Sequence, residues 1–313
     1  MGFNILGTGS ALPERRVSND ELSEFLDTSD AWIFTRTGIK DRRVCTTESL
    51  DDLAVAASMR ALEAAAVAPT DLDLIVCSTT TGDHLVPAEA CAVAERLGVN
   101  CPAFDVSAAC AGFVFALDIA EGYIARGRAE RVLVVAAEQM SRVLDWADRS
   151  TCVLFGDGAG AAVIGVGGEN PLAVTLSCDP DVATLHVPGL VGSSPFKVAE
   201  PQSNTLGMDG RRVFKFGVNA ICDTVHELAE AACIPVEDID HFVFHQANER
   251  TSRMPAWRER FARPATSRAR ASRMRSTGWR DRERSSPATR SPSSVLVPDS
   301  ISVAICFAGS SCT

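Results

Sequence analysis

The chain has 313 residues, 46% hydrophobic and 22% charged, with a formal net charge of −10; it can bury a substantial core and is a poor general nucleic-acid binder. The start, Met1-Gly2-Phe3-Asn4, has no basic region followed by an apolar run, and no stretch is long enough to span a membrane, so a cytoplasmic protein is expected. The eleven cysteines form no C-x-x-C pair and the five histidines stand apart from one another, so reduced thiols and no metal site are expected.

Taken in order, Phe3 to Ser10 reads as a strand running into a glycine turn at Gly7 and Gly9; G-x-G alone is a weak nucleotide signal, and a plain tight turn is expected. Ser18-Asn19-Asp20-Glu21 carries capping residues for a helix. The next segment, Asp27 to Ile39, places Trp32 and Arg36 four apart, on one face of a helix. An indole and a guanidinium there suit a nucleotide base and its phosphates, and equally suit a surface Arg–Trp pair. Ser49 to Val67 is an Ala-rich amphipathic helix, Asp71 to Cys77 a buried strand, Ser78 to Pro87 a loop, and a helix follows to about Leu97. Arg131 to Ala137 is another apolar strand, and Thr151 to Ile164 reads as two apolar runs around a Gly-rich turn. Buried strands alternating with helices indicate an α/β fold whose sheet is covered on both faces.

Phe104-Asp105-Val106-Ser107-Ala108-Ala109-Cys110-Ala111-Gly112-Phe113 is the centre of the chain: a strand end, a turn of small residues and a helix start. The unpaired N–H groups and dipole at a helix N-terminus favour a thiolate at Cys110, and small neighbours admit a substrate carbonyl. These are the attributes of an acyl-carrying nucleophile, though a small buried Cys under a helix reads the same way in isolation.

The chain also repeats itself. Glu63 to Val67 followed by Asp71 to Val76 is echoed by Glu230 to Ile234 and Asp238 to Val243, at a constant offset of 167. Two halves of similar topology follow, 1–168 and 169–313, in which Ser78 corresponds to His245. Both stand at strand carboxyl ends, where catalytic groups collect in open α/β sheets.

Cys110 in its Ala/Gly turn, Phe244-His245-Gln246-Ala247-Asn248, Phe155-Gly156-Asp157-Gly158-Ala159-Gly160-Ala161, and Asp27-Thr28-Ser29-Asp30 with Trp32 to Ile39 occur together and in order. In this combination the chain resembles the beta-ketoacyl-[acyl-carrier-protein] synthase III family from Ile5 to Arg250. The resemblance implies an α/β, thiolase-like layered α-β-α-β-α fold built from two pseudo-symmetric halves. It implies an enzyme of type II fatty-acid synthesis that takes an acyl primer from acyl-CoA onto Cys110 and condenses it with malonyl-acyl carrier protein. His245 would donate a hydrogen bond to the malonyl thioester carbonyl during decarboxylation. Trp32 and Arg149 would sandwich the adenine of coenzyme A, Arg36 would sit near its phosphates, and Phe214 and Asn248 would complete that binding site. Val86 and Phe155 would belong to the acyl pocket, with the 156–160 glycine turn as its floor; Val86 stands where the family often has a Phe that reaches into the partner subunit. Gln246, Ala247, Asn248, Glu249 and Arg250 would face the carrier protein. The resemblance implies a homodimer that uses coenzyme A thioesters and acyl carrier protein as substrates, with no bound cofactor, no metal, no nucleic acid and no membrane.

From Thr251 the sequence changes character. No Val, Ile or Leu occurs between Val243 and Val295, and Arg appears thirteen times from Arg250 to Arg290. The family's third catalytic residue, an Asn in a Tyr/His-Gly-Asn-Thr-Ser motif, has no counterpart; Arg275-Ser276-Thr277-Gly278 stands nearby. A basic insert, a diverged structural segment and a frame-shifted reading of a GC-rich gene all fit the composition. The last also fits the shortness of the second half, which is expected to be incomplete. Apolar character returns at Ser302 to Gly309 as a closing strand. A related condensing enzyme of polyketide or other secondary metabolism, and a non-catalytic module that binds carrier protein, are the alternatives.

Overall fold

Five strands make the first sheet of the computed structural model, which describes residues 2–168, 170–189, 192–198, 203–239, 241–245, 293–297 and 303–308. β1 (Phe3–Ala11) leads to a small two-stranded ladder, β2 (Arg16–Ser18) with β3 (Asp41–Arg43), which brackets α1 (Asn19–Ser23) and α2 (Asp30–Thr37). Then come α3 (Leu50–Ala65), β4 (Leu74–Ser78), α4 (Glu89–Leu97), β5 (Ala103–Val106), α5 (Gly112–Ala125), β6 (Arg131–Gln139) and β7 (Asp157–Val166). The sheet order is β1-β7-β6-β4-β5, with β1/β7 and β7/β6 antiparallel and β6/β4 and β4/β5 parallel.

Side chains alternate between two apolar faces, as a strand's period of two requires. Ile75, Cys77, Leu133 and Val135 pack with Leu53, Ala57 and Ala61 of α3 and Val93 of α4. Leu74, Val76, Val132 and Val134 pack with Val114, Leu117, Ala120 and Ile124 of α5 on the other side. The helices start where their caps stand: Ser18 and Glu21 form a capping box on α1, Ser29 accepts from the Trp32 N–H, and Ser49 with Asp52 forms a second box on α3.

The second half contributes β8 (Ala173–Leu176), β9 (Leu185–His186), β10 (Gly207–Met208), α6 (Gly210–Ala231), β11 (His241–Phe244), β12 (Ser293–Val297) and β13 (Val303–Ala308). β9 and β10 form a short ribbon, and the rest form a sheet in the order β11-β12-β13-β8. Read from β8, the pairings run antiparallel, antiparallel, parallel, the same sequence of senses as β1-β7-β6-β4. α6 packs on β8, β13 and β12 as α3 packs on β1, β7 and β6. The repeat in the sequence is therefore a repeat in topology: β11 corresponds to β4 and α6 to α3. α5 touches β13 as well as its own sheet and forms the middle layer of the layered α/β architecture. Gly167 (φ 124°) and Gly168 (φ 71°) turn the chain from β7 toward β8.

Among the described residues no strand corresponds to β5 in the second sheet. The arginine-rich departure at 251–292 lies outside the described residues. No helix among the described residues is long and apolar enough to cross a membrane.

Three expectations need correction. Gly7 and Gly9 do not turn the chain; they lie inside β1, where a Cβ would come 2.4 Å from the Ala65 nitrogen and 2.3 Å from the Ala57 oxygen, so glycine is what lets α3 lie on the sheet. Gly158 and Gly160 likewise belong to β7, not to a turn, while Thr151 to Leu154 is a hydrogen-bonded turn whose Cys152 and Val153 are buried. The strand expected from Asp71 begins at Leu74, because Pro69 to Asp71 takes one 3-10 turn and Asp73 is held by the Glu130 and Arg131 N–H groups at 2.8 and 2.9 Å.

Candidate active site

β5 ends at Val106 and α5 begins at Gly112, and the five residues between them make one tight turn. Ala109 takes φ +46°, the left-handed region that costs a non-glycine residue energy, and Ala109–Ala111 forms a single 3-10 turn. Cys110 is thereby set at the mouth of α5, half-buried and carrying a thiol, not a disulfide. The N-cap residue of α5, Ala111, offers no side-chain hydrogen bond, and the helix's first N–H groups and positive dipole end lie beside the turn that holds the sulfur.

The carboxyl ends of the neighbouring strands are locked around this turn. Asp105 accepts from the Glu89 and Ala90 N–H groups at 2.7 and 2.8 Å, tying the end of β5 to α4. Glu138, near the end of β6, accepts from the Thr80 N–H at 2.8 Å and from the Thr80 and Thr81 hydroxyls. Burial pushes the Glu138 carboxyl above its ordinary value, and those hydrogen bonds oppose the shift. Ser78 closes β4 and is 3% exposed. His245 directly follows β11 and is half-buried, at the position in the second sheet that Ser78 holds in the first.

A second group of predicted residues clusters around Trp32. The Arg36 guanidinium lies 4.4 Å and that of Arg149 5.2 Å from the centroid of the Trp32 ring. Arg149 is anchored by the Asp27 carbonyl and carboxylate, the latter at 3.0 Å. Trp32 and Phe155 are partly buried against Leu22, Ile33, Leu144 and Leu206, so this group rests on a small core of its own. Met208 joins that core and leads into α6, capped by Asp209, where Phe214 is 39% exposed. Beside Phe214, Arg212, Lys215 and Phe216 line a cleft of about 350 Å³ with Asp181 and Leu185. Leu85 and Val86, at the tip of the loop after β4, are 77% and 87% exposed, two adjacent apolar side chains on the surface. Gln246, Ala247, Asn248, Glu249 and Arg250 lie outside the described residues.

The residues that brace this site escaped the sequence. Arg42, 5% exposed, donates to Asn19 Oδ1 at 2.7 Å and to the Val153 and Val17 carbonyls, joining α1 to the turn before β7. Asp157 accepts from the Cys45 N–H, the Ser141 N–H and the Ser141 hydroxyl at 2.7 to 2.8 Å. A carboxylate between glycines in Gly156-Asp157-Gly158 was the available signal for this brace.

A layered, internally repeated α/β fold with a cysteine at the mouth of its central helix defines the thiolase-like class of proteins. Residues 104–180 match the family model for 3-oxoacyl-[acyl-carrier-protein (ACP)] synthase III. The beta-ketoacyl-[acyl-carrier-protein] synthase III of Clostridium acetobutylicum is 44% identical over 252 residues, 79% of this chain and 77% of that protein. The crystal structure of 3-oxoacyl-[acyl-carrier-protein] synthase III from Aquifex aeolicus superposes with a TM-score of 0.81 at 32% identity, covering 98% of this chain and all of that one. The priming beta-ketosynthase of the R1128 polyketide pathway gives 0.75 at 41% identity, covering 84% and 79%. The chain belongs to the beta-ketoacyl-[acyl-carrier-protein] synthase III family.

Proposed function

We propose that this protein is the condensing acyltransferase that starts type II fatty-acid synthesis, with Cys110 as its acyl carrier. The observation that carries the reading is the strained turn that sets Cys110 at the uncapped mouth of α5. The thiolate attacks the carbonyl of an acyl-CoA thioester; the carbon–sulfur bond to coenzyme A breaks, coenzyme A leaves as its thiolate and takes a proton from water, and the acyl group stays on the Cys110 sulfur. Malonyl-acyl carrier protein then loses carbon dioxide, and the resulting enolate attacks the Cys110 thioester. The products are a 3-oxoacyl-acyl carrier protein and the regenerated thiolate.

Decarboxylation needs donors that hold the growing negative charge on the thioester oxygen, not a strong base. His245 supplies one such donor. Trp32 and Arg149 grip the adenine of coenzyme A, with Arg36 at its phosphates and Phe214 and Asn248 completing the site. Val86 and Phe155 border the acyl pocket, Val86 by way of a homodimer. Residues 246–250 meet the carrier protein, whose acidic surface suits Arg250. The protein works in the cytoplasm.

The test is to supply purified protein with acetyl-CoA and malonyl-acyl carrier protein and to follow 3-oxoacyl-acyl carrier protein by mass. Its formation, lost in His245→Ala, supports the reading. Acylation of Cys110 with no condensation in the unaltered chain confines the activity to the first half-reaction.

A further inference from the structure

A carboxyl group that the proposed reaction does not use stands at the end of β6. Glu138 pairs with Gly158 of β7 and holds the segment that leaves β4. Its Oε1 accepts from the Thr80 N–H at 2.8 Å and the Thr80 hydroxyl at 3.0 Å, and its Oε2 accepts from the Thr81 hydroxyl. The Thr81 oxygen in turn accepts the Gln139 N–H at 2.8 Å, and the Thr79 hydroxyl accepts the Thr81 N–H at 3.2 Å. An ionised carboxylate only accepts, so the single Thr81 hydroxyl proton goes to Glu138. A carboxylate drawn out of water is costly unless donors surround it. Among the described residues its donors come from Thr80 and Thr81, so this carboxylate favours one placement of that one segment.

The segment held in this way begins against the cysteine turn. Ser78 is what a Cβ on Gly112 would strike, and Thr79 donates its N–H to the Val106 carbonyl at 3.3 Å. Val106 and Gly112 are the two shoulders of the turn that carries Cys110. Further on, Arg142 donates to the Gly82 carbonyl at 3.2 Å and to Asp83 Oδ1 at 2.5 Å, and Asp83 joins Asp51 and Glu89 in a carboxylate cluster. Residues 80–83 are thus tied to the end of β6 at two points, and the two residues before them touch both shoulders of the Cys110 turn.

We propose that Glu138 is a positioning residue for acyl transfer: by holding Thr80 and Thr81 it fixes the segment against which the Cys110 turn is set. The role rests on the acyltransferase reading above. Glu138 acts through Thr80 and Thr81, not on the sulfur. A misplacement of about 1 Å at a reacting atom costs about 100-fold in rate. Coenzyme A is gripped elsewhere in that reading, at Trp32 and Arg149, so loosening the clamp slows acylation without weakening acyl-CoA binding.

The test compares Thr81→Val, which keeps the shape and loses the hydroxyl, with Thr81→Ser, which keeps the hydroxyl, and with Glu138→Ala, all in the full chain. Acylation of Cys110 by acetyl-CoA is followed by mass over a range of concentrations, and hydrogen–deuterium exchange is read on peptides covering 79–87 and 105–113. Thr81→Val and Glu138→Ala are expected to lower the saturated acylation rate about 10- to 100-fold while the half-saturating concentration moves less than about threefold. Exchange should quicken in both peptides, and Thr81→Ser should stay within about threefold of the unaltered rate. Should Glu138→Ala not fold, Thr81→Val carries the comparison. An unchanged saturated rate in Thr81→Val, equal losses in Thr81→Val and Thr81→Ser, or faster exchange confined to 79–87 overturns the proposal. If the unaltered chain is never acylated, the acyltransferase reading fails and exchange alone decides the clamp: quickening in both peptides upholds it, and any other result overturns it.

Discussion

A Cβ on Gly112 would stand 1.8 Å from Ser78 Oγ and 2.9 Å from Ser78 Cβ. The helix that begins beside Cys110 therefore rests directly on the end of β4, and the fit exists only because residue 112 has no side chain. Ser78 is also the counterpart of His245 in the repeat, so one half uses this position for packing and the other places a half-buried imidazole there.

Gly112→Ala is accordingly expected to push α5 off β4, destabilise the protein by about 1–3 kcal/mol and slow acylation of Cys110. Ser78→Gly in the same chain removes both contacts and should restore much of the stability. Melting curves of the single and double variants check this. Equal melting temperatures for Gly112→Ala and the unaltered protein would remove the packing argument.

The close approach of α3 to β1 makes a parallel prediction. Gly9→Ala should cost about 1–3 kcal/mol, because the clash is with backbone atoms of Ala57 and Ala61, which cannot rotate away. Denaturant unfolding measures the loss. Gly160→Ala, where a Cβ meets nothing within 4 Å, serves as the mild comparison.

Trp32→Ala removes the indole that both Arg36 and Arg149 overlie. A cation–π contact is worth about 0.5–2 kcal/mol, so KM for acyl-CoA should rise roughly 2- to 30-fold while kcat changes little. Steady-state kinetics decide the matter, and a fall in kcat at unchanged KM would place Trp32 outside coenzyme A binding.

Glu48 carries a pH prediction. The backbone N–H groups of Glu14, Thr46 and Thr47 donate to its carboxylate and lower its value from 4.5 to about 2. A depressed folded-state value stabilises the fold above the unfolded-state value and loses that effect as pH falls through the folded one. The melting-temperature difference between the unaltered protein and Glu48→Gln should be full above about pH 4.5 and shrink as pH drops toward 2. A constant difference across that range would contradict the hydrogen-bond account.

Much of this was legible from the residues, for physical reasons that differ by element. Ser18, Ser29 and Ser49 mark helix starts because a side-chain oxygen there takes an orphan N–H, and all three do so. The 167-residue echo was legible because it preserves one helix–turn–strand unit, seen as α3 to β4 and again as α6 to β11. The glycines were misread because Gly7, Gly9, Gly158 and Gly160 serve close approach and strand pairing, and sequence does not distinguish a missing side chain needed for packing from one needed for turning. The carboxylate cluster was invisible: Asp51, Asp83 and Glu89 lie on three elements and meet only in the fold.

The most direct measurement is peptide mapping by mass spectrometry after brief incubation with acetyl-CoA. The account predicts one acetyl group, on the peptide that holds Cys110, present in His245→Ala and absent in Cys110→Ala. No adduct, or an acetyl group on another cysteine while Cys110 remains a thiol, would contradict it.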